Sequence, residues 1–138
     1  MPDILIDSSF LFALFNADDK RHEEAASFVE ANIVPIVVPV VVLPEVTFLM
    51  MRAGGVPMTT AFLESIKTLN LDLACPTLDD VEQARKVMLQ YADSRFDMVD
   101  CIIMAMAERL DIRQVCTFDR RDFSMFRPNH CDFLELLP

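Results

Sequence analysis

Residues 33–51, IVPIVVPVVVLPEVTFLMM, form an almost unbroken apolar run whose single charge is Glu45. A run like this must leave water, either in a bilayer or in a protein core, and its length is about that of a bilayer span. Pro35, Pro39, Pro44 and the central carboxylate speak against a lipid-facing helix. The run is better divided. PIVVP reads as a short buried strand, and the segment after Pro39 as a helix that stops at RAGG, where Gly54 and Gly55 are natural C-terminal residues. Pro44 then falls in the first turn, where its missing N–H costs nothing. Glu45 falls beside it, where the helix dipole favours an anion. The expectation is a core element and no membrane segment.

The rest of the chain alternates in the same way. DILID (3–7) reads as a buried strand ending in an aspartate, followed by a helix over SSFLFALFN with Ser8 or Ser9 as N-cap. KRHEEAASFVEAN (20–32) has helical periodicity, with Ala25, Phe28 and Val29 on one face. A helix opens at Pro57 and runs through PMTTAFLESIKTLN, and LDLAC (71–75) is a further strand. Thr77 caps a helix with Val81, Ala84, Val87 and Met88 at helical spacing. DMVDCIIMAMAERLD is a strongly apolar helix, QVCTF (114–118) a strand, and CDFLELL holds a last one. Short strands alternating with helices imply crossover connections and a parallel sheet covered on both faces, so the fold class is α/β. With 138 residues and no repeat or linker, residues 1–138 form one domain.

The N-terminus lacks the basic and small-residue pattern of a signal peptide. Cys75, Cys101, Cys116 and Cys131 form no CxxC pair, and two of them sit in apolar runs. Free thiols in a reducing cytoplasm are therefore expected, rather than a disulfide framework or a zinc site. The net charge of -10 argues against a general basic surface for nucleic acid. Arg95, Arg109, Arg113, Arg120, Arg121 and Arg127 nevertheless lie in the last third, without a lysine. They are either a scattered, solvated surface or a local phosphate-contacting rim, and only the fold distinguishes these.

Four carboxylates fall at element boundaries beside buried apolar segments. Asp7 closes the first strand, Glu45 opens an apolar helix, Asp100 opens DCIIMAMAERL, and Asp119 follows the strand VCTF. Ligands of parallel sheets bind at the carboxyl ends of strands, which is where Asp7 and Asp119 stand. Asp97 lies one helical turn before Asp100, on the same face. Taken singly, each has an ordinary explanation as a cap, a turn residue or a helix-dipole partner. Together, converging carboxylates repel and raise one another's pKa unless a cation intervenes. Oxygen-only ligands suit Mg2+ or Mn2+, which activates water and stabilises charge in an in-line phosphoryl transition state.

The strings ILIDSSFLFALFN, VVVLPEVTFLMMR and DMVDCIIMAMAERLDIRQVCTFDRRDF resemble, in order and over essentially the whole chain, the PIN domain family. They are most similar to VapC-type toxins and their stand-alone relatives. The third string is the most specific. The resemblance implies a three-layer α/β/α sandwich around a mainly parallel sheet and a Mg2+- or Mn2+-dependent endoribonuclease, the toxin of a toxin–antitoxin pair. By the same resemblance, Asp7, Glu45, Asp100 and Asp119 are the catalytic residues. Asp7, Asp100, Asp119 and Asp97 are metal ligands, with Asp122 as an auxiliary, and Glu45 orients a metal-bound water or acts through the metal. Ser9 and Thr117 match the family's hydroxyl residues. Arg120 and Arg121 are assigned here to the substrate phosphate. Asp97 and Asp100 together occupy a place where one acid is usual. The implied partners are RNA, an antitoxin protein and a second copy in a homodimer.

Two other readings compete. A non-catalytic PIN-like module for interaction or RNA binding has no physical reason to crowd four carboxylates. An aspartyl-phosphate enzyme built on Asp7 wants a second acid two residues on, where Ser9 stands.

Overall fold

The structure is a computed structural model that describes residues 3–32, 34–69 and 71–138. Ile33, at the head of the apolar run, and Asn70, at the end of the helix expected from Pro57, lie outside the described residues. Five short strands, β1 (Ile4–Ile6), β2 (Ile36–Pro39), β3 (Asp72–Ala74), β4 (Gln114–Cys116) and β5 (Glu135–Leu137), make one sheet in the order β3-β2-β1-β4-β5. Every neighbouring pair is parallel. Both faces of such a sheet must be covered, and β1 shows why: Ile4, Leu5 and Ile6 are all buried, with no alternation. The helices α1 (Ser8–Phe15), α2 (His22–Ala31), α3 (Leu43–Thr68), α4 (Leu78–Gln90), α5 (Met98–Arg109) and α6 (Arg120–Met125) supply that cover. The fold is the α/β sandwich expected from the alternation.

The chain moves outward from β1 to β2 and β3 on one side, then returns to place β4 and β5 on the other. The strand order therefore reverses between β1 and β4, the position at which open parallel sheets bind ligands. Ile6 pairs with Cys116 in register, so the next residues, Asp7 and Thr117, emerge side by side at the carboxyl edge.

The opening run divides as expected. β2 carries Val37, Val38 and Pro39 buried, a 3-10 turn spans Val40–Val42, and Pro44 sits in the first turn of α3. The apolar stretch Val40–Thr68 is long enough to cross a membrane by length and composition. Its backbone is broken at Gly55, however, with φ 67 and ψ -157, a left-handed conformation that costs glycine little. The expected stop at Gly54–Gly55 and restart at Pro57 thus appear as one kinked helix. Val46, Met50, Phe62 and Ile66 are buried along it, while Phe48, Met51, Val56 and Leu63 remain exposed. α5 is apolar because it is enclosed, with every residue from Cys101 to Ala107 buried.

Two local expectations change. The cap of α1 is Asp7 rather than Ser8 or Ser9, because the carboxylate reaches the Phe10 amide across the first turn. The face assigned to α4 is only partly covered: Ala84 and Val87 are buried, whereas Val81 and Met88 stay open to solvent. A short helix, α6, follows Asp119 in a stretch to which the sequence assigns no element. Thr77 does cap α4, in a reciprocal box with Asp80. Asp80 also receives Arg109 at 3.0 Å, which ties α4 to α5.

Candidate active site

Asp7 is the anchor of the site. It follows the central strand, donates its amide to the Cys116 carbonyl at 3.1 Å, and is 3% exposed. Its Oδ1 accepts from Ser9 Oγ at 2.7 Å and from the Phe10 amide at 3.0 Å, while Oδ2 accepts from the Thr117 hydroxyl. Burial pushes its pKa up to about 6, against the lowering effect of those three donors and with a further rise from Asp119.

Thr117 is fully buried and holds the β4 side together. Its hydroxyl accepts from the Asp119 amide at 2.9 Å, and its own amide donates to the Leu137 carbonyl on β5. Ser9 Oγ also accepts from the Phe118 amide at 3.0 Å. The two hydroxyls therefore stitch the ends of β1 and β4 around one carboxylate, and they aim Asp119 from the loop before α6.

Asp97 and Asp100 arrive from the start of α5. Asp97 is the N-cap and accepts from the Asp100 amide at 2.8 Å. This is the ordinary capping arrangement, yet it sits against the other acids. Asp100 is half-buried, and its pKa is pushed up to about 8 by burial first, then by Asp97, Asp7, Asp119 and Asp122. Asp122 is raised as well, by burial and by Asp119, with Arg121 opposing. The fold thus brings together Asp7, Asp97, Asp100, Asp119 and Asp122, carried by two strand ends and two helix starts.

Glu45 stands apart from that group. It is half-buried at the start of α3 and lines a pocket with Ser8, Pro44, Phe48 and Leu49, next in the chain to Asp7 through Ser8. The charges that act on Asp100 come from Asp97, Asp7, Asp119 and Asp122, and Glu45 is not among them.

Five of the six arginines of the last third are engaged locally. Arg109 pairs with Asp80, Arg113 with Asp111, and Arg121 with Asp122, while Arg120 donates to the Pro138 carbonyl and Arg127 to the Ser124 carbonyl. Arg120 and Arg121 stand beside Asp119 because α6 begins there. Arg21 lies over Phe118, the residue between Thr117 and Asp119, with its guanidinium 4.7 Å from the centre of the ring. Sequence reasoning missed it, because nothing in the spacing links the loop before α2 to a residue after β4.

The donor set is all oxygen. Among the described residues, no three His, Cys, Asp or Glu side chains are grouped as a ready ligand cage. The chemistry of the donors, all carboxylate oxygen, suits a hard divalent ion that keeps several waters and does not suit zinc. Asp7 and Asp100, raised by burial and by facing acids, are the groups that a cation at this position would relieve.

The family model of the PIN domain matches residues 4–127. Ribonuclease VapC26 of Mycobacterium tuberculosis is 30% identical over 125 residues, covering 91% of this chain and 93% of that protein. Among solved structures, VapC20 of the same organism, described as a sarcin-ricin loop cleaving toxin, superposes with a TM-score of 0.83. Its identity is 27%, over 98% of this chain and 99% of the other. A toxin–antitoxin complex from Klebsiella pneumoniae shares the fold at a TM-score of 0.69 and 20% identity, over 88% and 90% of the two chains. The sheet order, the wired aspartate at its switch point and these likenesses agree: the chain belongs to the PIN domain family, among its VapC-type members.

Proposed function

We propose that this chain is an endoribonuclease that hydrolyses RNA phosphodiester bonds with the help of Mg2+ or Mn2+, and that it is the toxin of a toxin–antitoxin pair. The observation that carries the proposal is Asp7. A carboxylate buried at the switch point, held by Ser9 and Thr117 and within the electrostatic reach of Asp119 and Asp100, has no structural use that an asparagine or serine would not serve at lower cost. The likeness to Ribonuclease VapC26 and to the toxin VapC20 supports the reaction class.

In this reading Asp7, Asp100 and Asp119 hold the ion, with Asp97 and Asp122 beside them. The ion, when bound, neutralises the acids and the charge that develops on the phosphoryl group, and makes water a better nucleophile. The chain's own contribution is positional. Ser9 and Thr117 fix both oxygens of Asp7, so the carboxylate does not rotate when substrate arrives. Glu45, from the opposite flank, orients the attacking water and takes its proton.

Four free cysteines, with Cys101 and Cys116 buried and both held well above the usual thiol range, at about 12, support residence in a reducing cytoplasm. Two exposed apolar faces support protein partners. One is Phe48 and Met51 on the first part of α3, Phe48 lining the same pocket as Glu45; the other is the groove between α4 and α5 lined by Val81, Met88, Leu89 and Met98. We assign the first to an antitoxin, which would then cover the site, and the second to a homodimer.

The test is cleavage of a labelled RNA pool with Mg2+, with Mn2+ and with chelator, alongside Asp7→Asn and Asp100→Asn. Metal-dependent cleavage lost in both variants is the expected result. Cleavage that survives both substitutions, or ignores chelator, overturns the mechanism.

A further inference from the structure

An acidic nuclease must hold a polyanion close to its carboxylates, and the structure shows where a single cation is set up to do so. Arg21 ends the loop before α2, with its guanidinium over Phe118 at 4.7 Å from the ring centre. That ring is stacked in turn on Phe10, with centroids 5.3 Å apart and planes 23° from parallel, and Phe10 is fully buried. The Phe118 amide donates to Ser9 Oγ at 3.0 Å, and Ser9 donates to Asp7 at 2.7 Å. The guanidinium is thus mounted one aromatic ring away from the hydrogen bonds that fix Asp7, on contacts that lead into the core.

Such mounting matters because a free arginine loses much rotamer freedom when it meets a ligand. Stacking orders the side chain in advance and leaves the planar N–H edge free for two parallel bonds to phosphate oxygens. The acidic neighbour, Glu24, stands 3.9 Å away between two exposed side chains, a weak pairing that leaves the donors available. Of the arginines beside Asp119, Arg120 donates to the Pro138 carbonyl and Arg121 pairs with Asp122, an acid of the cluster itself. With a net charge of -10, the chain has no diffuse basic surface to substitute for a local contact.

We propose that Arg21, laid on Phe118, is a substrate-binding residue that grips a backbone phosphate of single-stranded RNA next to the scissile one. The inference rests on the nuclease reading above and names a part of the substrate that the carboxylates do not address. Arginine is required rather than lysine, since only a flat guanidinium can rest on the ring and present a two-pronged edge at once.

Initial rates of RNA cleavage, taken over a range of salt concentrations, test it in the wild type, Arg21→Gln, Arg21→Lys and Arg113→Gln. Arg113 is an exposed residue paired with Asp111 just before β4, so its substitution removes the same charge elsewhere. Arg21→Gln should raise KM about tenfold with kcat within about twofold, and should flatten the salt dependence of kcat/KM by roughly 0.7, one single-strand phosphate. Arg21→Lys should fall between, Arg113→Gln should match the wild type, and melting temperatures should agree. An unchanged KM and salt slope in Arg21→Gln, a fall in kcat alone, or the same change in Arg113→Gln overturns the proposal. A wild type that cleaves no RNA overturns the nuclease reading and this inference with it; a cleaving wild type with an indifferent Arg21→Gln overturns only the inference.

Discussion

The two halves of the acidic cluster are built differently. On the strand side, Asp7 is buried and both of its oxygens are bonded, by Ser9 and Phe10 on one and Thr117 on the other. On the helix side, Asp97 and Asp100 are placed by the start of α5, and the hydrogen bond between them is simply that helix's cap. The first half is pre-organised by groups whose purpose is to hold a carboxylate. The second is held by ordinary helix chemistry and carries the larger electrostatic strain, with Asp100 pushed up to about 8. Rigidity and charge stress have been assigned to different elements, and a cation would join them.

The most severe break removes the shared charge. Asp7→Asn and Asp100→Asn should each lower metal-supported cleavage on the order of 10³-fold, the scale of losing one positioned polar group at a reacting centre. Their effects on the chelator-treated protein should differ. Asp100→Asn removes the most repelled charge and should raise the melting temperature at pH 8 by roughly 5 to 8 °C, or ~2 kcal/mol, discounted from the full shift because Asp100 keeps some contact with water. Asp7→Asn disturbs the bond from Thr117 and should gain less. Equal gains in the two variants, measured by thermal melting, would remove the distinction between the halves.

Next in size is the wiring itself. Thr117→Val keeps the shape of a fully buried side chain but leaves Asp7 Oδ2 and the Asp119 amide without that hydroxyl. Cleavage should fall ~10²-fold and stability by about 1–3 kcal/mol, the cost of unsatisfied buried groups. A Thr117→Ser variant should recover most of both, and its failure to do so would point to packing of the methyl group instead.

The charge stress also predicts a pH window. A carboxyl whose folded pKa is raised binds its proton more tightly in the native state. Between the two pKa values the unfolded chain is therefore the more deprotonated, and stability falls as pH rises. For Asp7 the window runs from the ordinary carboxyl value of 3.8 to about 6, and for Asp100 from 3.8 to about 8. Chelator-treated protein should lose stability progressively from about pH 4 to 8, by a few kcal/mol. Added Mg2+ should restore it increasingly toward pH 8, where the acids are ionised and free to bind it. A melting-temperature gap between metal-loaded and chelated protein that does not widen with pH would count against a cation at these acids.

Much of this was legible before any coordinates. Strand positions follow from runs such as DILID and QVCTF, because a doubly covered sheet needs unbroken apolar segments. Asp7 and Asp119 were legible as residues closing strands. What spacing cannot carry is partnership across the chain. That Thr117 bonds Asp7, or that Arg21 lies on Phe118, depends on β1 and β4 being neighbours, which only the strand order supplies. For the cap of α1 the sequence offers Ser8, Ser9 and Asp7, and spacing does not choose among them. The fold chooses Asp7, whose Oδ1 accepts from the Phe10 amide while Oδ2 accepts from Thr117.

The smallest effect, and the sharpest on the comparison, concerns Glu45. It belongs to neither half: α3 brings it in from the flank, into a pocket with Ser8, Phe48 and Leu49. If it orients water rather than holding the ion, Glu45→Gln should lower kcat about tenfold, leave the Mg2+ concentration for half-maximal rate unchanged, and shift stability by no more than about 0.5 kcal/mol. Metal titrations of cleavage in the two proteins measure this directly. A several-fold rise in the Mg2+ requirement would instead place Glu45 with Asp7 and Asp100 as a ligand. The cluster would then have three sides rather than two, with the apolar face of α3 tied to the charge of the site.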